Sequence, residues 1–331
     1  MKIILLYIII TIFLLGCISY QPETTPPPSG AGTQQPAQNE TANETVGENE
    51  TIRTLYPLTL FFIDVGQGDS IIIRYNESDY KYTVLVDGGD KSHGDAILSI
   101  LRENSVKTVD LLVATHNHAD HIGGLIQVVS SSIDFNIVCC NGVPENTQTY
   151  KDFMKACMND ENGGVVFQNM TTGDSLSINN LTIQVLAPNE EYNIHHNSGN
   201  DCNSVQNRNS VVFRLRFHNF TVLFTGDADF DTEDYILSNT TAMASISAGI
   251  LKVGHHGSKT STSEKFLDDV NPEVAVISVG ANNRYGHPAV ETLNRLESHN
   301  IEIYRTDLNG SIAISIMQDG DFVIHTENNR N

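Results

Sequence analysis

From Leu58 onward, short apolar runs alternate with polar turns to the end of the chain, and this rhythm predicts many short strands with helices between them. Leu58–Val65, Ser70–Tyr75 and Tyr82–Val86 read as strands, separated by Gly-Gln-Gly-Asp and Asn-Glu-Ser-Asp turns. Ala96–Arg102 has helical spacing, Leu111–Ala114 is a strand, Ile122–Val129 a helix, Asn136–Cys140 a strand and Tyr150–Met158 an amphipathic helix. The second half repeats the pattern with strands at Val165–Gln168, Leu181–Leu186, Val211–Phe217 and Thr221–Thr225. After a helix near Asp231–Leu237 come the strand Leu251–Val253, the helix Ser263–Val270 and the strand Val274–Val279. A helix over Pro288–Ser298 and strands at Ile301–Tyr304, Ser311–Met317 and Phe322–His325 complete the order. Strands in such number, with helices in both halves, predict an α/β fold of two sheets packed face to face with helices outside both. Chemically marked loops occur in both halves, so residues 53–331 read as one domain whose halves meet at one edge.

The chain before this domain has a different character. Lys2 precedes the apolar run Ile3–Leu15, broken only by Thr11, and Gly16-Cys17 follows. The run is shorter than the roughly 20 residues a spanning helix needs. Residues 1–20 therefore read as an export signal with a lipoprotein-like box in which Cys17 takes the lipid; an uncleaved anchor is the alternative. Residues 21–52 are Pro, Thr, Gln, Asn and Glu, too polar to offset the entropy of ordering, and predict a disordered stalk. Both readings put the domain on the extracellular face of the cell membrane. In that setting Cys139, Cys140, Cys157 and Cys202 are expected in structural disulfides, with a strained Cys139–Cys140 pair the least suitable.

Charge narrows the function. The net charge is −21, and residues 1–52 hold one lysine and five glutamates, which leaves 18 basic and 35 acidic residues in the domain, or −17. Such a surface excludes a generic basic-faced nucleic-acid binder. A polyanionic substrate has to be drawn in by metal ions and a local basic patch.

The densest chemistry lies in Thr115-His116-Asn117-His118-Ala119-Asp120-His121-Ile122-Gly123-Gly124, directly after an apolar strand. Imidazole and carboxylate bind zinc, and to a lesser degree manganese or iron, without thiolate. His116 and His118, two apart at a strand end, can grip one ion, while Asp120 and His121, where the chain turns, can reach a second. Three further loops follow apolar strands: Asp87-Gly88-Gly89, Gly226-Asp227 and His255-His256-Gly257.

Asp64-Val65-Gly66-Gln67-Gly68-Asp69-Ser70, Val86-Asp87-Gly88-Gly89, the His116–Gly124 loop, Phe224-Thr225-Gly226-Asp227, Lys252-Val253-Gly254-His255-His256-Gly257-Ser258 and Tyr285-Gly286-His287-Pro288 together resemble the metallo-β-lactamase-fold hydrolases, in the branch typified by the C-terminal domain of ComEC competence proteins. The resemblance runs from about residue 57 to 326 and implies an αββα four-layer sandwich with a metal centre at one sheet edge. It implies His116 and His118 as ligands of a first metal, Asp120 and His121 of a second, Asp227 as the bridging carboxylate and His256 as the late histidine. His255 then either supports the ligands from behind or faces substrate, and is a candidate catalytic residue with Asp120 and His287. The mid-chain histidine of the lactamases has no counterpart in Gln206-Asn207-Arg208-Asn209-Ser210-Val211, although His195 or His196 upstream could replace it. Asn209, Ser210, Ser258 and Lys259 are candidate substrate contacts, His287 a candidate proton donor to the leaving group, and Asp87 a residue that orients a ligand histidine.

Two divalent ions, zinc before manganese, roughly 3.5–4 Å apart would deprotonate a water and polarise a phosphoryl or acyl oxygen, with Asp120 beside the reacting atoms. The leading expectation is a membrane-tethered phosphodiesterase or nuclease acting on DNA, in company with DNA-uptake machinery. A lactonase or β-lactamase-like acyl hydrolase and a non-catalytic, metal-stabilised surface binding module are the alternatives.

Overall fold

The computed structural model describes residues 56–158, 165–189, 202–239 and 245–328. The expected signal and stalk, and His195 and His196, lie outside the described residues. Period-two alternation sets the inner face from the first strand, β1 (Leu58–Phe62), in which Leu58, Leu60 and Phe62 are buried and the residues between them half-buried. The strands β2 (Ile71–Glu77), β3 (Tyr80–Val86), β4 (Thr108–Ala114), β5 (Asp134–Cys140) and β6 (Val166–Asn169) follow on one side of β1. The strands β14 (Ile312–Ile316) and β15 (Phe322–Thr326) close the other side, giving an eight-stranded sheet in the order β15-β14-β1-β2-β3-β4-β5-β6. The second sheet is seven-stranded, in the order β13-β12-β11-β10-β9-β8-β7. Its strands are β7 (Ser175–Ile178), β8 (Leu181–Ala187), β9 (Val212–Phe217), β10 (Phe220–Phe224), β11 (Ile250–Lys252), β12 (Val274–Ile277) and β13 (Glu302–Arg305).

Three apolar layers show how the sheets stack. Between the sheets lie inward residues of both, among them Phe62, Ile73, Val86, Leu111, Phe213, Leu215, Phe224 and Val276. Phe224 stacks on Phe213 with centroids 4.7 Å apart and reaches across to Phe62 at 6.4 Å. Full burial of each such ring contributes about 1.5–3 kcal/mol. The outer face of the first sheet (Ile72, Leu85, Leu112, Val138) packs on the helix Gly94–Glu103 and its neighbours through Ile97, Leu98, Leu101 and Val128. The outer face of the second (Leu223, Leu251, Ala275) packs on helices Phe230–Asn239, Glu264–Val270 and Val290–Ser298 through Ile236, Phe266, Leu267 and Leu296. The result is the expected αββα sandwich.

Strand direction decides where the connecting loops gather. In the first sheet β3, β4, β5 and β6 run parallel, and in the second β10, β11, β12 and β13 do. Parallel strands send their carboxyl ends, and the loops after them, to one edge.

Several local expectations are corrected. The helix expected over Ile122–Val129 is two short ones, Ala119–Ile122 and Leu125–Val129, parted by Gly123-Gly124. A Cβ on Gly124 would lie 2.1 Å from the Gly88 carbonyl, so the break comes from close backbone packing beside the metal loop. The edge strand β7 and the polar helix Cys202–Arg208 carry no apolar run that would announce them. Cys139, Cys140 and Cys157 are buried free thiols, not disulfides. Cys139 and Cys140 are neighbours in β5 and therefore face opposite sides of the sheet, one in each core layer. The side chain of Cys202 lies outside the described residues.

Candidate metal centre

The carboxyl ends of β3, β4, β10 and β11 converge, and each delivers one marked loop. Asp87, the residue after β3, takes a positive φ of 55°, which turns its carboxylate toward β4. There it accepts hydrogen bonds from the Thr115 backbone N–H (2.7 Å), the Thr115 hydroxyl (2.6 Å) and His121 Nδ1 (2.8 Å). Since the carboxylate only accepts, His121 Nδ1 carries a proton, and the ring aims Nε2 inward. His256 is fixed in the same way, with Nδ1 donating to the Ser278 carbonyl at 3.0 Å. The Thr115 hydroxyl already donates its hydrogen bond to Asp87, so at 3.2 Å it accepts from His116 Nδ1, and His116 Nε2 also points inward.

Those inward atoms meet around Asp227. Its Oδ1 lies 3.4 Å from His121 Nε2 and 3.6 Å from His256 Nε2, and its Oδ2 lies 3.7 Å from His116 Nε2. Asp120 Oδ2 is 3.6 Å from His256 Nε2, and His118 Nδ1 is 2.9 Å from His116 Nε2. Two metal–nitrogen bonds of about 2.0–2.1 Å can span that last gap. His116, His121, Asp227 and His256 are almost wholly buried, and His121 Nε2, His256 Nε2, His118 Nε2 and Asp227 Oδ1 have no hydrogen-bond partner. A buried polar atom left unpaired costs about 1–3 kcal/mol. Several together on nitrogen and carboxylate oxygen fit divalent cations. The trios His116–His121–Asp227 and Asp120–His121–His256 each bring three donor atoms within 4.8 Å of one another.

Protonation follows the packing. Burial opposes charge on His256, but Asp227, Asp120 and Asp69 outweigh it and hold its pKa at about 10, so a cation bound at Nε2 has to displace a proton. Asp227 is driven well below the carboxylate range against its own burial by His256, His121 and His255. Burial, aided by His121, keeps His116 neutral.

The two late histidines differ. His256 is buried among the donors, whereas His255 is partly exposed, with Nε2 3.8 Å from Asp227 Oδ2 and its ring bonded by Asn207 Nδ2. Both take left-handed backbone, φ 53° and 46°, in a tight 3-10 turn after β11. His287 lines the same cleft, its ring centroid 5.5 Å from that of His255. Burial, then His255 and His256, lower its pKa to about 4, so its ring is neutral near pH 7.

Four expected substrate contacts fall outside the cleft. Ser210 is fully buried behind the donors, where its hydroxyl accepts the Asp227 backbone N–H at 3.1 Å and sits 3.4 Å from His116 Nδ1. Asn209 is buried and donates to the Val205 carbonyl at 2.7 Å. Ser258 bonds Thr260 within its own loop, and Lys259 is exposed away from the lining residues. The run that contains them ends in Ser263, which caps the helix Glu264–Val270 by accepting from Phe266 N.

Motif reasoning assigns nothing to Asp69 and Lys252, yet both stand behind the donors. Both are buried, with Lys252 Nζ 2.8 Å from Asp69 Oδ2 and Asp69 Oδ1 3.4 Å from His256 Nδ1. Burial opposes the charge of Asp69, but Lys252 and then His256 bring its pKa below the usual value. A lysine inside an apolar strand run, Leu251-Lys252-Val253, is the available signal, because a lysine is almost never fully buried unless paired. The remaining cleft lining includes Gln67, Thr147, Asn207, Arg284 and Tyr285, around a volume of about 440 Å³.

A four-layer sandwich whose parallel strands bring histidines and aspartates to one edge defines a metallo-β-lactamase-type fold. A domain model described as the beta-lactamase superfamily domain matches residues 82–273, and the chain belongs to that superfamily. The chain is 32% identical over 266 residues to ComE operon protein 3 of Bacillus subtilis, covering 76% of this chain and 32% of that protein. It is 27% identical over 309 residues to Competence protein ComA of Neisseria gonorrhoeae, covering 93% of this chain and 36% of that protein. The chain thus spans about a third of the length of these curated relatives. Among solved structures, a mutant of the CmlA beta-hydroxylase is similar with a TM-score of 0.48 and 12% identity, over 78% of this chain and 54% of that one.

Proposed function

We propose that the protein is a metal-dependent phosphodiesterase acting on DNA, tethered on the outer face of the cell membrane and working beside DNA-uptake machinery. The cluster of buried, unpartnered donor atoms around Asp227 is the observation that carries this reading. His116, His118, Asp120, His121, Asp227 and His256 would hold two divalent ions, zinc or manganese. Bound there, such ions supply Lewis acidity toward a phosphoryl oxygen and lower the pKa of a water. The protein does the rest. Asp87, Ser278 and Thr115 fix the tautomers of the three inward histidines. Asn207 steadies His255 at the cleft wall. His287 lines the cleft with a ring that is neutral near pH 7, able to hydrogen-bond an oxygen of the phosphate or of the leaving group. Competence proteins among the relatives support DNA as the substrate. The lack of a histidine in Gln206–Val211, the run that matches the mid-chain ligand region of the lactamases, weighs against the acyl-hydrolase alternative.

The test is to give the purified domain single-stranded DNA, bis-p-nitrophenyl phosphate and nitrocefin, with zinc or manganese added. Turnover of the first two, stopped by chelator, is expected. Turnover of none would overturn the reading, and turnover of nitrocefin alone would favour an acyl hydrolase. Tethering is checked separately: Cys17→Ala should move the protein from the membrane to the soluble fraction.

A further inference from the structure

One wall of the cleft is a hairpin-like loop that the metal chemistry does not use. Asn283 organises it: its Oδ1 accepts the backbone N–H groups of Tyr285 (3.1 Å) and His287 (3.0 Å), and its Nδ2 donates to the carbonyls of Gly280 (2.9 Å) and His287 (2.6 Å). Gly286 completes the turn at a φ of +71°. The loop so fixed presents Tyr285, a large ring left 53% exposed. That ring stacks on His287, with centroids 5.8 Å apart and planes at 25°. Arg284 Nη2 donates to the Tyr285 hydroxyl at 2.7 Å, with the guanidinium carbon 4.9 Å from the ring centre. His255, His287 and Tyr285 thus form a ladder of rings from the Asp227 carboxylate to the mouth of the cleft.

Electrostatics says what such a ladder is for. Among the described residues that line the cleft, Arg284 is the only lysine or arginine, and Asp120 and Asp227 line it too. With a domain charge of −17, phosphate pairing alone offers a polyanion little purchase. Stacking on an aromatic ring or a guanidinium plane does not depend on net charge and is worth about 1–3 kcal/mol per base. We propose that Tyr285 and Arg284 form a stacking platform for the nucleobase next to the scissile phosphate, with Arg284 also meeting a phosphate oxygen. The proposal rests on the phosphodiesterase reading and adds the feature by which the site takes hold of a nucleotide rather than any phosphodiester.

The experiment compares a short oligothymidylate with the same strand carrying one abasic unit, moved along it position by position. For the wild-type protein, kcat/KM should fall roughly 5- to 150-fold when the abasic unit reaches one particular position, the equivalent of one lost stack. In Tyr285→Ala that penalty should shrink to within about twofold, and Tyr285→Trp should restore it. Arg284→Gln should flatten the slope of log affinity against log salt by about 0.7, the share of one phosphate contact on a single strand. A positional penalty that survives in Tyr285→Ala, or no penalty at any position in the wild type, overturns the platform while leaving the phosphodiesterase standing. If the wild-type protein cleaves no strand, the phosphodiesterase reading fails instead, and fluorescence anisotropy of the same strands decides the platform. Equal binding of natural and abasic strands would overturn it.

Discussion

Replacing Lys252 by methionine tests the least expected element of the site. The ammonium is 1% exposed, lies 2.8 Å from a carboxylate 2% exposed, and donates to the Val253 carbonyl at 2.7 Å. Methionine keeps the length and apolar stem of lysine but strands Asp69 in the interior. Breaking one partner of a buried pair costs about 3–5 kcal/mol. His256, 3.4 Å from the other Asp69 oxygen, offsets part of this, so about 3 kcal/mol is expected. With a urea m-value of about 3 kcal/mol/M, the unfolding midpoint of chelator-treated protein should drop by about 1 M. The pH dependence should also change sign. In the wild type the depressed pKa of Asp69 contributes stability above its ordinary value of 3.8, and this is lost as pH falls. In Lys252→Met burial is no longer outweighed, the folded pKa rises, and the deficit should deepen as pH rises. Adding Asp69→Leu removes the stranded charge and should recover most of the loss. A single variant within about 1 kcal/mol of wild type, or a double variant no better than the single, would refute the reasoning.

Asp87→Asn removes the charge that receives Thr115 and His121 and puts an amide donor among donors, so zinc affinity should weaken about 10- to 100-fold in competition with a chelating dye; unchanged affinity would count against its orienting role. Gly68 has a φ of +136°, and an added Cβ would lie 2.2 Å from the Asp120 carbonyl. Gly68→Ala should therefore cost about 1–3 kcal/mol in thermal unfolding, with a fall in bound metal per chain by elemental analysis. Burial raises the pKa of Glu233 to about 7 from 4.5, although the backbone N–H groups of Ser263 and Thr262 pull the other way. A raised carboxyl favours the folded state below its unfolded value, and that contribution is lost as pH climbs through 7. About 3 kcal/mol should disappear between roughly pH 4 and 8, and Glu233→Gln should flatten the curve.

Strand periodicity made most of the fold legible. Leu58, Leu60 and Phe62 alternate as a half-buried strand must, and a strand followed by a marked loop recurs four times along the chain. Where sequence and structure part, a physical reason stands behind each difference. The Gly123-Gly124 break depends on a carbonyl from a distant loop, which no local pattern encodes. The strand β7 reads Ser-Leu-Ser-Ile and gains its order by pairing with β8. The cysteines look like disulfide partners because location is inferred from the first residues, whereas their surroundings are apolar core. In the site, the histidines and Asp227 announce themselves by residue type and spacing. Ser210 stands out in sequence only as a candidate substrate contact, and its actual role, a buried serine bonding the backbone of Asp227, carries no signal in the residues around it.

The Asp227 cluster has a counterpart at the far end of the sandwich. Glu77, at the end of β2, accepts from the Tyr75 hydroxyl (2.6 Å), Asn180 (2.9 Å), His218 (3.0 Å) and Gln318 (2.8 Å), so groups from both sheets close on one carboxylate. The sheets are therefore buttoned together at two ends, by a finished polar knot at one and by a cluster of cation donors at the other. Stripping the ions should loosen only the second. Amide hydrogens beside Asp227 and His256 should then exchange faster while those around Glu77 keep their protection, so the domain should part from the cleft inward, like a book held at its spine.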